Sequence, residues 1–402
     1  MIPLVRRVFI RNYKSIGQAA TTLEPLTALV GPNGAGKSNF VDSLAFVQEC
    51  LSDSIELAFK NRGGIAAVRR RSAGHPTHIG VRLIIELGDG HTADYAFEIA
   101  AKPTERFSIA RERCVVQTFM GSEIAFEVRD GQFVREIQGI RPRVSPDRLA
   151  LFAASATEEF RPVYDFLTSM RFYSVVPVRL RELQDADPGD LLKRDGSNAA
   201  AVLKRLVEDP NGRERYARIC RLLSEVVDGL RKVEYQAMGQ KETLRFQQDV
   251  GLKHPWKFDA LNMSDGTLRV LGLLLALYQP GSPTVVGIEE PEATVHPAVA
   301  ELIVQVLIDA ARERQVLFTT HSPDILDYKG LADTQIRIVT TEQNRTLICP
   351  LSEASREAVR ERLYTPGELL RAGELTPGVP AGSSGQQLDL FGPMPEAEGR
   401  RE

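Results

Sequence analysis

The chain has only four cysteines, Cys50, Cys114, Cys220 and Cys349, and they stand far apart with no C-x-x-C pair. That spacing offers no disulfide framework and reads as small buried residues or free thiols in a reducing compartment. Histidine is also sparse. The nearest pair, His75 and His78, falls in an expected loop without partners and makes a poor metal site. No apolar run approaches a membrane span, so no membrane is expected among the partners. The first residues, Met-Ile-Pro-Leu-Val-Arg-Arg, lack the apolar core of a signal peptide, and the expected location is the cytoplasm. Neither sign of charge is in excess: 50 Lys and Arg against 53 Asp and Glu leave a net −3. Bulk charge therefore does not point to nucleic acid, and any such surface must be a local patch. There is no internal repeat and no sustained heptad pattern, which leaves out a long coiled coil.

What is present is ordinary globular material, 43% hydrophobic and 26% charged, long enough for two or three structural units. Its most informative stretch is Gly31-Pro32-Asn33-Gly34-Ala35-Gly36-Lys37-Ser38, which fits the P-loop pattern G-x-x-x-x-G-K-[ST]. In that pattern the glycines turn successive backbone N–H groups toward phosphate oxygens, the lysine reaches the β- and γ-phosphates, and the serine hydroxyl ligates Mg2+. Residues 26–30 read as a short buried strand. Phe40, Val41, Leu44, Val47 and Leu51 fall at helical spacing after the loop. Strand, loop and helix in that order place phosphates on a helix N-terminus. The expected nucleotide-binding residues are Gly31, Asn33, Gly34, Gly36, Lys37, Ser38 and Asn39, with Ser38 also a metal ligand.

Further along, residues 4–10 read as a strand and 60–78, rich in Arg and Gly, as a loop. An antiparallel meander is predicted over 79–87, 92–101, 107–119 and 124–128, with Asp89-Gly90 and Asp130-Gly131 as tight turns. Residues 146–170 read as helical and 172–178 as a buried strand. Helices are predicted from Asp195-Gly196-Ser197-Asn198 to Pro210, and over 213–230 with Tyr216, Ile219, Cys220, Leu223, Val226 and Val227 inward. A hairpin turning near Gly239 spans 233–248. From Leu261 the pattern alternates helix, strand, helix, strand, the parallel half of an α/β fold.

Three more motifs share the chemistry of the P-loop. Val285-Val-Gly-Ile-Glu289-Glu290-Pro291-Glu292 is an apolar strand ending in acids, the Walker B position. There the first acid, Glu289, holds Mg2+ and the second, Glu290, polarises the attacking water; a Glu in the first place adds one methylene to the usual Asp, so the metal geometry must shift. Val316-Leu-Phe-Thr-Thr320-His321 is a second apolar strand, and its terminal His321 is placed to meet the γ-phosphate and the water. Ser264-Asp265-Gly266-Thr-Leu-Arg269 precedes a helix, with Ser264 and Gly266 presenting a hydroxyl and free N–H groups to an anion.

Together these residues resemble the ABC-type ATPases: P-loop, signature motif, Walker B with adjacent Glu, then switch His. The form Ser-Asp-Gly-Thr-x-Arg, with Glu-Glu-Pro-Glu…His296-Pro297 and Thr-His-Ser-Pro, is similar to the soluble branch containing RecF, the SMC proteins and the ATPase half of OLD-family nucleases, and most of all to compact bacterial AAA family ATPases. The resemblance covers residues 1–345. It implies an α/β P-loop NTPase head of ABC type with an antiparallel β subdomain and a helical insert. It implies ATP and Mg2+ as cofactors, Glu290 and His321 as catalytic residues, and an ATP-dependent homodimer in which Ser264 of one subunit meets the γ-phosphate held by the other. The chain departs from the pattern at Glu289 and at His296, which occupies the D-loop aspartate position. Gln48 lies inside the first helix and does not serve as the Q-loop glutamine. About 225 residues separate P-loop from signature without heptads, so this is not a cohesin-like tether. Beyond Leu326 there is too little chain for the TOPRIM domain of OLD nucleases, so any partner nuclease or effector acts in trans.

The resulting expectation is an ATP-hydrolysing switch in DNA maintenance, repair or phage defence, against two alternatives, a transporter ATPase subunit and a non-hydrolysing ATP sensor. Its units are an N-terminal lobe over 1–145, a helical insert over 146–232, a C-terminal lobe over 233–345, a helical extension over 346–376 and a disordered tail over 377–402. Arg62, Arg69, Arg70, Arg71, Arg141 and Arg143 are candidates for a DNA surface. In the tail, Gln387-Leu388-Asp389-Leu390-Phe391 matches the peptide by which bacterial replication and repair proteins dock on the sliding clamp, with Leu390 and Phe391 entering an apolar pocket.

Overall fold

The computed structural model describes residues 2–72, 77–88, 90–103, 106–135, 145–328, 330–380 and 388–393. Among them the strands form sheets of seven, four and six strands. The first two strands, β1 (Leu4–Tyr13) and β2 (Ile16–Thr22), turn back on each other. The third, β3 (Leu26–Val30), leaves that sheet, and the antiparallel ladder resumes with β4 (His78–Glu86), β5 (Thr92–Ala101), β6 (Phe107–Gln117), β7 (Glu123–Arg129) and β8 (Gln132–Arg135). Its order is β2-β1-β4-β5-β6-β7-β8. The β7–β8 turn is the predicted one, with Asp130 at φ 45° and Gly131 at φ 76°, the left-handed pair that such a hairpin needs. Asp89 of the other predicted turn lies outside the described residues, as do His75, Arg141, Arg143 and Gln387.

The site rests on the six-stranded sheet, ordered β17-β16-β3-β15-β14-β9. Its members are drawn from the whole chain: β3, β9 (Arg171–Tyr173), β14 (Val285–Glu289), β15 (Gln315–Thr320), β16 (Ile336–Glu342) and β17 (Arg345–Cys349). All neighbours are parallel except β16 and β17. Alternation along each strand feeds two cores. Leu29, Leu317 and Val285 face the core shared with the seven-stranded sheet and α1 (Lys37–Ser52), while Leu26, Ala28, Val316, Phe318, Val286 and Ile288 face the core under the later helices. A sheet buried on both faces explains why these strands read as continuous apolar runs. The spans expected as two lobes, 1–145 and 233–345, thus share one sheet.

Several elements differ from the sequence reading. The expected loop over 60–78 is preceded by α2 (Ile55–Lys60) and contains α3 (Ile65–Val68). The expected helical stretch over 146–170 is two short helices, α4 (Ala150–Ala154) and α5 (Arg161–Thr168). The expected strand over 172–178 stops at Tyr173, because Pro177 starts α6 (Pro177–Arg181). The predicted pair of helices is α7 (Ala199–Glu208) and α8 (Gly212–Ser224), the latter ending before Val226 and Val227. The four-stranded sheet joins β10 (Gln184–Asp185), β11 (Leu230–Met238), β12 (Lys241–Gln248) and β13 (Trp256–Asp259), with the predicted turn at Gly239. Then come α9 (Asp265–Tyr278), α10 (Ala300–Ala310), α11 (Pro323–Leu326), α12 (Glu353–Arg360) and α13 (Pro366–Ala372).

Two surface expectations are corrected. Arg62 is not a free basic residue: its side chain is 5% exposed and binds Asp42 and Glu49 at 3.0 and 2.8 Å. Arg70 is buried and donates to the carbonyls of Ser15 and Asn344. The tail is not free throughout either. Leu390 is 1% exposed against the outer face of the seven-stranded sheet, so one of the two residues expected to enter a partner's pocket is already packed within the chain.

Candidate functional site

Loop 31–38 joins the buried strand β3 to the N-terminus of α1. Two of its glycines are obligatory on packing grounds. A Cβ on Gly31 would lie 2.0 Å from the Val339 carbonyl, and one on Gly36, already at φ 106°, would lie 2.2 Å from Thr346 Oγ1. Thr346 in turn donates to the Ala35 carbonyl and shares a hydrogen with Ser15 Oγ at 2.7 Å. Asn39 donates to the same Ser15 hydroxyl at 2.7 Å. The β1–β2 turn and β17 thus brace the loop from behind, a support that no local motif announces. Pro32, Asn33, Gly34 and Ser38 are exposed, whereas Lys37 is buried and folds its ammonium onto the carbonyls of Gly31 and Pro32 at 2.7 and 3.1 Å. Burial holds that ammonium below its ordinary range, opposed by the carboxylates of Glu290 and Glu292.

Those acids arrive on the end of β14, two strands over. Glu290 has φ 43°, a left-handed conformation that costs a non-glycine residue energy and concentrates at functional sites. It is fixed there by its N–H, which donates to the carbonyl and the hydroxyl of Thr319. His321, just past β15, places Nδ1 3.4 Å from Glu290 Oε1. The two predicted catalytic residues therefore meet across neighbouring parallel strands. Glu292, to which the sequence assigned no role, accepts from the Thr320 hydroxyl through Oε1, while its Oε2 is buried without a partner among the described residues. Burial raises its carboxyl above the usual range, and Glu290 adds to this against the pull of Thr320 and His321.

Glu289 is met by a residue that sequence reasoning missed. Arg194, in the loop before α7, puts Nη2 3.1 Å from Glu289 Oε1 and Nη1 3.6 Å from Asp42 Oδ1. Nothing in its local sequence marks it. Its position follows from pairing of its loop with the exit of β9, where the Ser174 N–H donates to the Arg194 carbonyl. Gln48 is on α1 and bonds Ser52, away from these groups. Ser38 and Glu289 offer oxygen donors from a hydroxyl and a carboxylate, the hard set that suits Mg2+, and a cationic group already balances Glu289.

The signature turn is built separately. Ser264 is the N-cap of α9 and accepts from the Thr267 N–H at 3.1 Å. Arg181 of α6 pins the turn by donating to the Met263 carbonyl and to Asp265. A Cβ on Gly266 would approach the Thr294 carbonyl to 2.9 Å. Ser264 and Asp265 are exposed, and among the described residues no hydrogen bond or ion pair joins Ser264 to Lys37, Glu290 or His321. Arg269, one turn on, lies close enough to Glu290 and Glu292 for both to oppose the downward pull of its burial. His296 caps a short 3-10 turn, accepting from the Ala298 N–H at 3.2 Å.

Comparison with known proteins bears on the family and the fold. A family model described as "AAA domain, putative AbiEii toxin, Type IV TA system" matches residues 26–327. Structural maintenance of chromosomes protein 1 of Schizosaccharomyces pombe is 30% identical over 127 residues, 29% of this chain and 10% of that protein's length. Two solved structures share the fold. One is an SmcHead bound to the C-winged helix domain of ScpA, with a TM-score of 0.52 at 13% identity over 87% of this chain and 98% of that one. The other is the Smc head domain with an extended coiled coil bound to the C-terminal domain of ScpA, derived from Pyrococcus furiosus, with a TM-score of 0.52 at 12% identity over 90% and 100%. The fold is that of the ABC-type P-loop ATPase head, with an antiparallel β subdomain.

Proposed function

Because the chain belongs to the family described as "AAA domain, putative AbiEii toxin, Type IV TA system", and carries an SMC-like ATPase head, we propose that it hydrolyses ATP and that ATP joins two copies of it. The observation that carries the reading is the meeting of Glu290 and His321 at the ends of adjacent parallel strands, with Lys37 at the start of α1 close enough to feel the Glu290 carboxylate.

The N–H groups of loop 31–38 and the N-terminus of α1 take the β- and γ-phosphates, and Lys37 leaves its two carbonyls to neutralise their charge. Ser38 and Glu289 would hold Mg2+, which spreads the charge of the terminal phosphate. Arg194 must yield Glu289 for this to happen. Glu290, held by Thr319, accepts a proton from water as the water oxygen bonds to the γ-phosphorus and the bond to ADP breaks. His321 orients that water and the oxygens of the phosphoryl group being transferred.

Ser264, exposed and unattached to its own P-loop, is suited to contact the nucleotide of a second copy. Exposed apolar side chains flank it: Leu261 beside it, Val178 on the packed α6, and Leu183. A partner copy would cover them. Light scattering tests this. With ATP and Glu290→Gln, mass should double, and Ser264→Arg should keep the chain monomeric by placing bulk at the γ-phosphate. A mass that is the same with and without ATP, and in both variants, contradicts the ATP-joined dimer.

The biological setting we propose is DNA maintenance, repair or phage defence with an effector in trans. Leu388, Asp389, Leu390 and Phe391, with Gln387, are proposed to dock on a sliding clamp. Since Leu390 is buried, that docking requires the segment to leave the sheet.

A further inference from the structure

We propose that the outer face of the seven-stranded sheet is a docking groove for a short peptide, and that the chain's own segment Leu388–Pro393, which turns at Leu390 and Phe391, is its releasable occupant. The floor of the groove is Gly80 of β4. A Cβ there would lie 2.1 Å from Leu390 Cδ1, while the next atom of any other residue is 3.5 Å away. The missing side chain makes the hole that Leu390 fills.

The walls read backbone. Arg82 donates to the carbonyls of Asp389 and Pro393 at 3.4 and 2.9 Å. Arg113 donates to those of Phe391 and Gly392 at 2.5 and 3.0 Å. Both guanidinium groups are held in place by one carboxylate, Asp94, itself 1% exposed. Two cations on one anion leave donors over, and the peptide carbonyls take them. Arg111 lies over the Phe391 ring at 4.1 Å, and Gln18 accepts the Leu388 N–H at 2.9 Å. These groups come from β2, β4, β5 and β6, so the groove is part of the sheet and not of the tail.

The hold is local. Asp389 and Pro393 stay exposed, and Leu388 and Phe391 are only half-buried. Nine residues separate Leu388 from Gly378, whose N–H is fixed to the Pro350 carbonyl. A tether of that length supplies the tail at an effective concentration on the order of millimolar, enough to keep a weak peptide in place and to shut out a free one. Leu390 and Phe391 cannot fill this groove and an external pocket together, so the sheet competes with any partner of the tail. The groove and its occupant are tested without a sliding clamp, and their failure leaves that reading untouched.

Two full-length variants make the test, each first matched to wild type in thermal midpoint. Gly80→Ala fills the hole without touching the tail. Chymotrypsin should then cut at Leu390 or Phe391 at least tenfold faster than in wild type. Leu390→Ala with Phe391→Ala disables the tail without touching the groove. A labelled peptide of residues 383–394 should bind that chain at least tenfold more tightly than wild type, and adding Gly80→Ala should abolish the binding. Equal cleavage of Gly80→Ala and wild type, or equal peptide binding by wild type and the tail variant, overturns the proposal.

Discussion

Gly36 and Gly34 are both P-loop glycines with positive φ, yet they should respond very differently to the same methyl group. Gly36→Ala forces an L-residue to φ 106° and drives its Cβ to 2.2 Å from Thr346 Oγ1 and 2.7 Å from Thr346 Cγ2. The conformation alone costs about 1–3 kcal/mol. Thr346 must then move, and it is 1% exposed and holds the Ala35 carbonyl and the Ser15 hydroxyl. Losing those two bonds adds about 1 kcal/mol each, for a total of about 3–5 kcal/mol. Gly34→Ala meets nothing within 4 Å at φ 78°, so only the conformational cost of about 1–2 kcal/mol remains. Urea unfolding followed by far-ultraviolet circular dichroism reads the difference, and titration calorimetry with ATP should show the larger loss of affinity in Gly36→Ala. Thr346→Ala removes both clashing atoms, so in the double variant Gly36→Ala should cost at least about 1 kcal/mol less than it does alone. Equal destabilisation by the two glycine variants, or no relief from Thr346→Ala, would refute the reasoning.

Glu112 is fully buried, and burial pushes its carboxyl up to about 7 against the Leu151 and Ala150 N–H groups and the Tyr95 hydroxyl. The folded state then holds the proton more tightly than the unfolded chain. Its contribution is complete below pH 4.5 and is lost as pH rises through about 7, by about 3 kcal/mol in all. Thermal midpoints of wild type should fall over that window, and those of Glu112→Gln should fall less; parallel curves would count against it. Arg62→Ala leaves Asp42 buried with only Lys14 and Arg194 as cationic partners among the described residues, and should cost about 3–5 kcal/mol of stability in urea unfolding. A change below about 1 kcal/mol would return Arg62 to the surface patch.

The strands that carry loop 31–38, Glu290 and His321 were legible because their apolar runs stop at contiguous polar groups. The hairpins were legible from Asp-Gly pairs and Gly239. What brings the motifs together was not. The six-stranded sheet recruits Arg171–Tyr173, the start of the run read as a buried strand but too short to say which sheet it joins, and it is this strand that carries the Arg194 loop to Glu289. Strand β2, Ile-Gly-Gln-Ala-Ala-Thr-Thr, is too small and polar to announce itself, yet its turn braces Gly36 through Ser15. Arg62 and Arg70 looked like surface charge because sequence gives a residue's charge and not its partner. Leu390 looked unpartnered for the same reason, its partner being the absent side chain of Gly80.

The central claim is hydrolysis by Glu290. Phosphate release and ATP binding should be measured side by side on wild type and Glu290→Gln. The amide cannot take a proton as the carboxylate does, so turnover should fall by at least about 100-fold while ATP affinity is retained. Phosphate release by Glu290→Gln at the wild-type rate, or none by wild type at saturating Mg2+ and ATP, would contradict the account.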